Sequence, residues 1–505
     1  MSAYSKLLRS LTKSTEQPVR TLIKGEIPKW LNGTLFRNGP GRYEFNGKLY
    51  QHAFDGQACV HKFNIHDGHV LYSNKLLETK AYTKTVAENR LYPAFGTADS
   101  DSNIFERFKK FLNPPETADN VNVNVVPYSK SHLYALTESN LFCRLNPADL
   151  NIINTTNITN HIPTAATTIA HPVVESDGSW ITLGMNKKGQ YEFIRYKSEN
   201  SSQKSSAAEQ AQVIARIPSS RKGGLSYFHS FSVTQNYIVF LEQALTINYK
   251  AMVMALIKNK PLSNGLITEP DLPTRIYVID KKTGEVLKQK FVTDPQFSFH
   301  YINSYETARN EIVLDLCSYD AKHFDINSLS FENLYGGKLS GTDLIKAIAR
   351  RVTVPLGEKS TDKDVYCEIK DLNSDVVFEL PTINYWRYNG KPYKYVYGTN
   401  NFKYPFSTVK INVENPKEVF EMKYVKENTS FLPSEPIFVE NPNGKSEDDG
   451  VLLVMVLSDK NDFLSILDAK NLNEIARAEM PEETKGAFTF HGFFADKHNF
   501  KALNN

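Results

Sequence analysis

Short apolar runs, some alternating with polar residues, recur along the chain, each broken by a turn signal, and this rhythm constrains the fold more than any other feature. The runs include Ile181 to Gly184, Tyr237-Ile238-Val239-Phe240-Leu241, Arg275-Ile276-Tyr277-Val278-Ile279-Asp280 and Val451-Leu452-Leu453-Val454-Met455-Val456-Leu457. The turns between such runs read Ser176-Asp177-Gly178, Lys187-Lys188-Gly189, Lys281-Lys282-Thr283-Gly284 and Tyr388-Asn389-Gly390. Period-two patterning bounded by Gly, Asn and Asp predicts antiparallel strands joined by tight turns, and so an all-β chain. The 26 Tyr and 30 Phe suit pleated, half-buried surfaces.

Several hairpins end like Tyr277-Val278-Ile279-Asp280-Lys281-Lys282-Thr283-Gly284, which resembles the outer hairpin of a propeller blade, although no strict period repeats. No Pro- or Gly-rich linker divides the 505 residues, which predicts one domain over 1–505 with 1–24 as an N-terminal extension. Few segments look helical. Asn103 to Leu112 sets Ile104, Phe105, Phe108, Phe111 and Leu112 on one face with charges opposite. It reads as a helix capping the core or as an amphipathic membrane-surface helix flanked by Lys109 and Lys110. Thr342 to Val352 is a second helix candidate, and Ser198 to Glu209 and Asn441 to Asp449 read as polar loops.

Lys and Arg total 59 against 56 acidic residues, a balance without the electrostatic footprint of a nucleic-acid binder. The four cysteines, Cys59, Cys143, Cys317 and Cys367, are far apart, form no C-x-x-C, and suit a reducing compartment. No apolar run reaches the roughly 18 residues a spanning helix needs. Met1 to Arg20 is basic and contains Ser and Thr. It reads as a frayed start or a membrane-touching helix, with a mitochondrial presequence less favoured. The expected location is cytoplasmic or peripheral to a membrane.

The chemistry is carried by histidines. His171, His229, His300 and His491 lie in four separate stretches, each resembling the inner end of a strand: Ile169-Ala170-His171-Pro172, Tyr227-Phe228-His229-Ser230, Ser298-Phe299-His300-Tyr301 and Thr489-Phe490-His491-Gly492. Three follow an aromatic residue, an apolar wall that favours a buried neutral imidazole. Their separations of roughly 60, 70 and 190 residues exclude a local zinc motif. The spacing fits a radial fold in which different blades send one side chain each to the axis, and four imidazoles suit a divalent first-row metal. A histidine taken alone is more often a surface or hydrogen-bonded residue than a ligand. His52 and His61 flank Phe54-Asp55-Gly56 and read as structural.

Metal-bound His donates its other N–H to a carboxylate or carbonyl. Three glutamates stand isolated in apolar surroundings: Glu138 in Leu136-Thr137-Glu138-Ser139, Glu379 in Phe378-Glu379-Leu380 and Glu435 in Pro433-Ser434-Glu435-Pro436. A buried carboxylate needs a donor. An exposed edge would explain each as well, and best for Glu435, whose Pro-flanked segment is loop-like.

Together these stretches resemble the carotenoid cleavage oxygenase family. Leu31-Asn32-Gly33-Thr34-Leu35-Phe36-Arg37-Asn38-Gly39-Pro40-Gly41 is similar to its N-terminal signature, as is His52-Ala53-Phe54-Asp55-Gly56-Gln57-Ala58, with Gln57 where most animal members have Met. All four His contexts and the three Glu segments match, from about Gly25 to the C-terminus. The resemblance implies a seven-bladed β-propeller with a helical and loop cap, an axial Fe(II) held by His171, His229, His300 and His491, and Glu138, Glu379 and Glu435 as acceptors for three of them. It implies dioxygen-dependent scission of a conjugated C=C bond of a carotenoid or apocarotenoid. It makes Tyr227 and Val123 residues of the substrate tunnel, against core packing as the plainer role for both. It also implies membrane docking through an apolar patch at Ile104, Phe105, Phe108 and Phe111.

One departure stands out. Ala98-Asp99-Ser100-Asp101-Ser102 replaces the Pro-Asp-Pro-Cys motif of animal members, which weighs against the retinoid isomerase branch. Two alternatives remain at this level: a retinoid isomerase, alone or combined with cleavage, on the same scaffold, and a metal-free propeller used for protein interaction.

Overall fold

A computed structural model of the chain describes residues 2–92, 95–99, 101–113, 118–198, 207–336, 346–357 and 363–501. Among these residues the chain is mostly β, with nine sheets, seven of them of four or more strands. One described pairing is parallel, Lys290–Thr293 with Asp364–Tyr366. The rest are antiparallel and mostly follow sequence order, as the turn signals require. In one hairpin, Trp180–Asn186 and Gln190–Tyr196 pair in full register across a turn whose Gly189 adopts φ +71°, the left-handed region that glycine enters without steric cost. The apolar run at Val451 is the centre of a six-stranded sheet. Gly450–Ser458 lies between Phe463–Asp468 on one side and Phe431–Pro433 and Ile437–Glu440 on the other, and Val451 to Leu457 are all buried.

The two ends of the chain are interlocked. Gly33–Arg42 pairs with Gln57–His66 along one edge and with His491–Ala495 along the other. Leu22–Gly25 pairs with Glu474–Glu479, and Thr15–Arg20 with His69–Leu76. Residues 15–20 and 22–25 are therefore woven into two sheets, where a frayed start or a membrane-touching helix was expected. Leu7, Leu8 and Leu11 are buried, and the Arg9 guanidinium forks onto the Asp462 carboxylate at 2.9 and 3.0 Å.

The longer helices are α1 (Ala3–Leu7), α2 (Lys80–Glu88), α3 (Ile104–Leu112) and α4 (Tyr249–Ile257). The amphipathic run at Asn103 forms α3, started by a capping box in which Asn103 and Glu106 satisfy each other's backbone N–H. None of its residues is buried, and Phe105 is 82% exposed. The second expected helix is a strand. Ala347–Pro355 pairs with Glu311–Asp320 and Glu368–Asn373, while 342–345 lie outside the described residues. Its apolar residues fit helical and alternating spacing alike, and pairing on both edges decides for β-branched Ile348, Val352 and Val354. Of the loop expected over Ser198 to Glu209, 199–206 lie outside the described residues and Ala207–Gln210 is a 3-10 turn. Asn441 to Asp449 is a loop. All four cysteines are free and buried. Among the described residues no helix is long and apolar enough to cross a membrane.

Candidate metal centre

The four histidines come from strand ends in different parts of the fold. His171 lies between Ala165–Thr168 and Val173–Val174, His229 between Gly224–Ser226 and Ser232–Val233, and His300 between Gln296–Phe297 and Tyr301–Glu306. His491 opens the strand that pairs with Gly33–Arg42. One nitrogen of each imidazole lies within 4.8 Å of those of the other three. The His171 ring lies 4.4 Å from His491, 4.5 Å from His229 and 5.2 Å from His300, centroid to centroid.

The three glutamates stand behind three of these rings. His300 Nδ1–H donates to Glu379 Oε2 at 2.6 Å, His491 Nδ1–H to Glu435 Oε1 at 2.9 Å, and His229 Nδ1–H to Glu138 Oε1. Each carboxylate has a further donor. The Tyr227 hydroxyl donates to Glu138 Oε2 at 2.9 Å, the Tyr319 hydroxyl to Glu379 Oε1 at 2.9 Å, and Arg37 Nη1 to Glu435 Oε2 at 3.0 Å. No described carboxylate serves His171. Glu435, whose segment reads as loop-like, does sit between two strands, yet it is only 7% exposed. Its carboxylate is satisfied from both sides, which is what allows it to be buried.

Burial, then repulsion from His491, His229 and His300, holds His171 well below the usual histidine range. His491 is pushed down to about 4, chiefly by burial and against the pull of Glu435. Burial opposes ionisation of Glu379. The His300 ring, the Leu380 N–H and the Tyr319 hydroxyl outweigh it, so this carboxyl lies below its ordinary range. Burial and then Glu138 drive the Tyr227 hydroxyl well above 10.0, so it stays protonated and donates.

With Nδ1 committed to a carboxylate, Nε2 of His229, His300 and His491 carries the free lone pair. Nε2 of His171 and of His300 are buried with no hydrogen-bond partner. Orphaned buried nitrogens in a converging neutral donor set fit a divalent transition-metal ion.

A cavity of about 680 Å³ opens beside the imidazoles. It is lined largely by apolar groups, among them Phe54, Tyr227, Phe299 and Leu334, and it reaches Phe111 of α3 and Leu256 of α4. Tyr227 and Val123 both face it. Val123 is half-buried and also packs on a cluster around Tyr134 and Trp180, so its packing and lining roles coexist. Sequence reasoning missed α4, which touches α3 through the Arg107 Nε–H bond to the Leu256 carbonyl at 3.0 Å. It also missed Arg37 and Tyr319 as supports. An arginine inside the apolar run Leu35-Phe36-Arg37 was the available signal, since such a residue demands a buried acceptor.

A pH effect follows for the metal-free protein. His61 is buried against the Tyr72 hydroxyl, and burial followed by Arg37 pushes it to about 3. His61, His171 and His491 titrate near 6.5 when unfolded and lower when folded. As pH falls below 6.5 the unfolded chain binds protons first, so stability drops. The melting temperature is expected to be flat above pH 7 and to fall steadily from pH 6.5 to 4. A flat profile over that window in scanning calorimetry would contradict the buried neutral imidazoles.

The family model of the retinal pigment epithelial membrane protein (RPE65) matches residues 8–496. The mitochondrial carotenoid-cleaving dioxygenase of Mustela putorius furo is 33% identical over 533 residues, covering 96% of this chain and 95% of that protein. The Homo sapiens protein of the same description is 33% identical over 531 residues, covering 96% and 90%. The cobalt-substituted Synechocystis apocarotenoid oxygenase superposes with a TM-score of 0.78 at 22% identity over 98% of both chains. That likeness establishes a shared fold.

Proposed function

The chain belongs to the RPE65 and carotenoid cleavage oxygenase family, and on that premise we propose that it is an iron(II)-dependent dioxygenase that cleaves a conjugated C=C bond of a carotenoid or apocarotenoid into two carbonyl products. The observation that carries this reading is four imidazoles converging beside an apolar cavity of about 680 Å³. We read the chain over 1–505 as one domain and the seven larger sheets as propeller blades around the imidazoles, with the helices as cap.

His171, His229, His300 and His491 would hold the ion, and Fe(II) bound there would supply the activation of dioxygen. Glu138, Glu379 and Glu435 fix the tautomer and tilt of three rings. The cavity walls align the polyene and keep water out. The faces of Tyr227 and Phe299 favour electron-poor polyene character, and Val123 narrows the wall near the imidazoles. Each oxygen atom of O2 ends in one of the two carbonyls.

Incubating iron-loaded protein with a panel of carotenoids under ¹⁸O₂, followed by chromatography and mass spectrometry, tests the reading. Two labelled carbonyl products are expected. An isomerised retinoid without label would instead assign the isomerase chemistry, and no conversion by a protein that binds no metal would leave an interaction scaffold.

The polyene must leave a lipid phase, and the two helices that reach the cavity also carry exposed apolar residues: Phe105 and Leu112 on α3, and Val253, Met254 and Ile257 on α4. We propose that this face docks reversibly on a membrane. Each fully inserted side chain contributes about 1.5–3 kcal/mol, so Phe105→Asp combined with Ile257→Asp is expected to weaken phosphatidylcholine vesicle binding by roughly a hundredfold or more, with metal content unchanged. Wild-type cosedimentation of the double variant would remove the docking face. The named relatives are described as mitochondrial. Residence there stands beside the cytoplasmic location expected from the sequence, and cell fractionation decides between them.

A further inference from the structure

Three carboxylates stand behind the imidazoles, and their outer partners differ in kind. Glu138 and Glu379 are each held by a neutral tyrosine hydroxyl, Tyr227 and Tyr319. Glu435 alone is held by a cation. The Arg37 side chain is fully buried, and its guanidinium also donates to the Glu435 carbonyl at 3.1 Å, the Phe490 carbonyl at 3.0 Å and the Thr489 hydroxyl at 3.2 Å. It therefore grips both the segment that carries Glu435 and the segment that ends in His491. Glu435 is the one carboxylate it pairs with among the described residues. Its neighbour His61 is neutral at physiological pH, with a pKa near 3.

Charge in a buried site is expensive unless balanced. A divalent ion on four neutral imidazoles faces three carboxylates, which leaves one excess negative charge. Arg37 cancels it. A trivalent ion in the same shell leaves one excess positive charge. We propose that Arg37 is a positioning residue that clamps Glu435 behind His491 and, by its fixed charge, neutralises the site for a divalent rather than a trivalent metal. This rests on the metal-binding reading of the four histidines.

The charge role predicts shifts of opposite sign. Arg37→Met removes a positive charge and should favour the trivalent ion, lowering the midpoint potential of the bound iron. Glu435→Gln, close in shape and still able to accept a hydrogen bond, removes a negative charge and should raise it. Each shift is expected to reach at least tenfold in the ferric-to-ferrous ratio, about 59 mV for one electron. The double variant restores neutrality and should return toward the wild-type potential. Arg37→Lys keeps the charge but loses the planar fork. It should hold the potential near wild type while weakening retention of iron against a chelator.

The measurements are redox titration of the iron-loaded proteins, with melting temperature and metal content recorded alongside. Shifts of the same sign in the two single variants, or a double variant further from wild type than either, would make Arg37 a strut without an electrostatic role. Should Arg37→Met not fold, Glu435→Gln and Arg37→Lys still decide. A lowered or unmoved potential in the first, or a potential in the second displaced by tenfold or more, overturns the proposal. A wild-type protein that binds no iron would instead overturn the metal reading beneath it.

Discussion

Replacing His300 with alanine is expected to leave a folded protein that no longer retains iron, with carotenoid cleavage reduced to the metal-free background. The His300 Nε2 is buried with no partner, and its Nδ1–H is already engaged by Glu379. No other described histidine stands in the four-nitrogen group to take over as donor. Leaving a buried carboxylate without its partner costs about 3–5 kcal/mol when nothing else remains. Here the Tyr319 hydroxyl and the Leu380 N–H still donate to Glu379, so the cost should lie at or below the lower figure. Melting curves record the fold, and metal analysis after dialysis records the ion. Iron at wild-type stoichiometry in a well-folded His300→Ala protein would refute the ligand assignment.

The glutamates should rank by burial. Glu379→Gln is expected to lower metal affinity about 10–100-fold, the usual result of removing a carboxylate behind a metal-bound histidine. Its side chain is only 3% exposed, so water cannot replace the lost charge. The Glu138 side chain is 29% exposed, so Glu138→Gln should cost less. Chelator competition on the two variants gives the ranking directly. An equal or larger loss in Glu138→Gln would mean that solvent access does not grade these carboxylates.

Much of the candidate site was legible because its residues break local patterns. An imidazole after an aromatic residue, or a glutamate between apolar neighbours, conflicts with the strand around it, and such conflicts gather at functional sites. The strand rhythm was equally plain, since period-two alternation survives wherever one face meets solvent. Legibility failed where that contrast disappears. Ala347–Pro355 is largely buried and paired on both edges, so its apolar residues carried no period to choose strand over helix. The Tyr249–Ile257 helix is apolar nearly all round and shows no polar face from which to recognise it. Glu435 looked like a loop because its prolines interrupt the strand pattern. Its partner Arg37 lies 398 residues away, a distance no local reading spans.

The pairing of Gly33–Arg42 with His491–Ala495 sets a timetable for the protein's own biogenesis. His491 is the last of the four imidazoles in chain order, and it joins the other three only after its strand has docked on Gly33–Arg42, about 450 residues earlier in the sequence. A polypeptide not yet translated through that strand can thus offer at most three of the four donors. A metal ion held by all four would therefore be taken up only once this long-range pairing has formed.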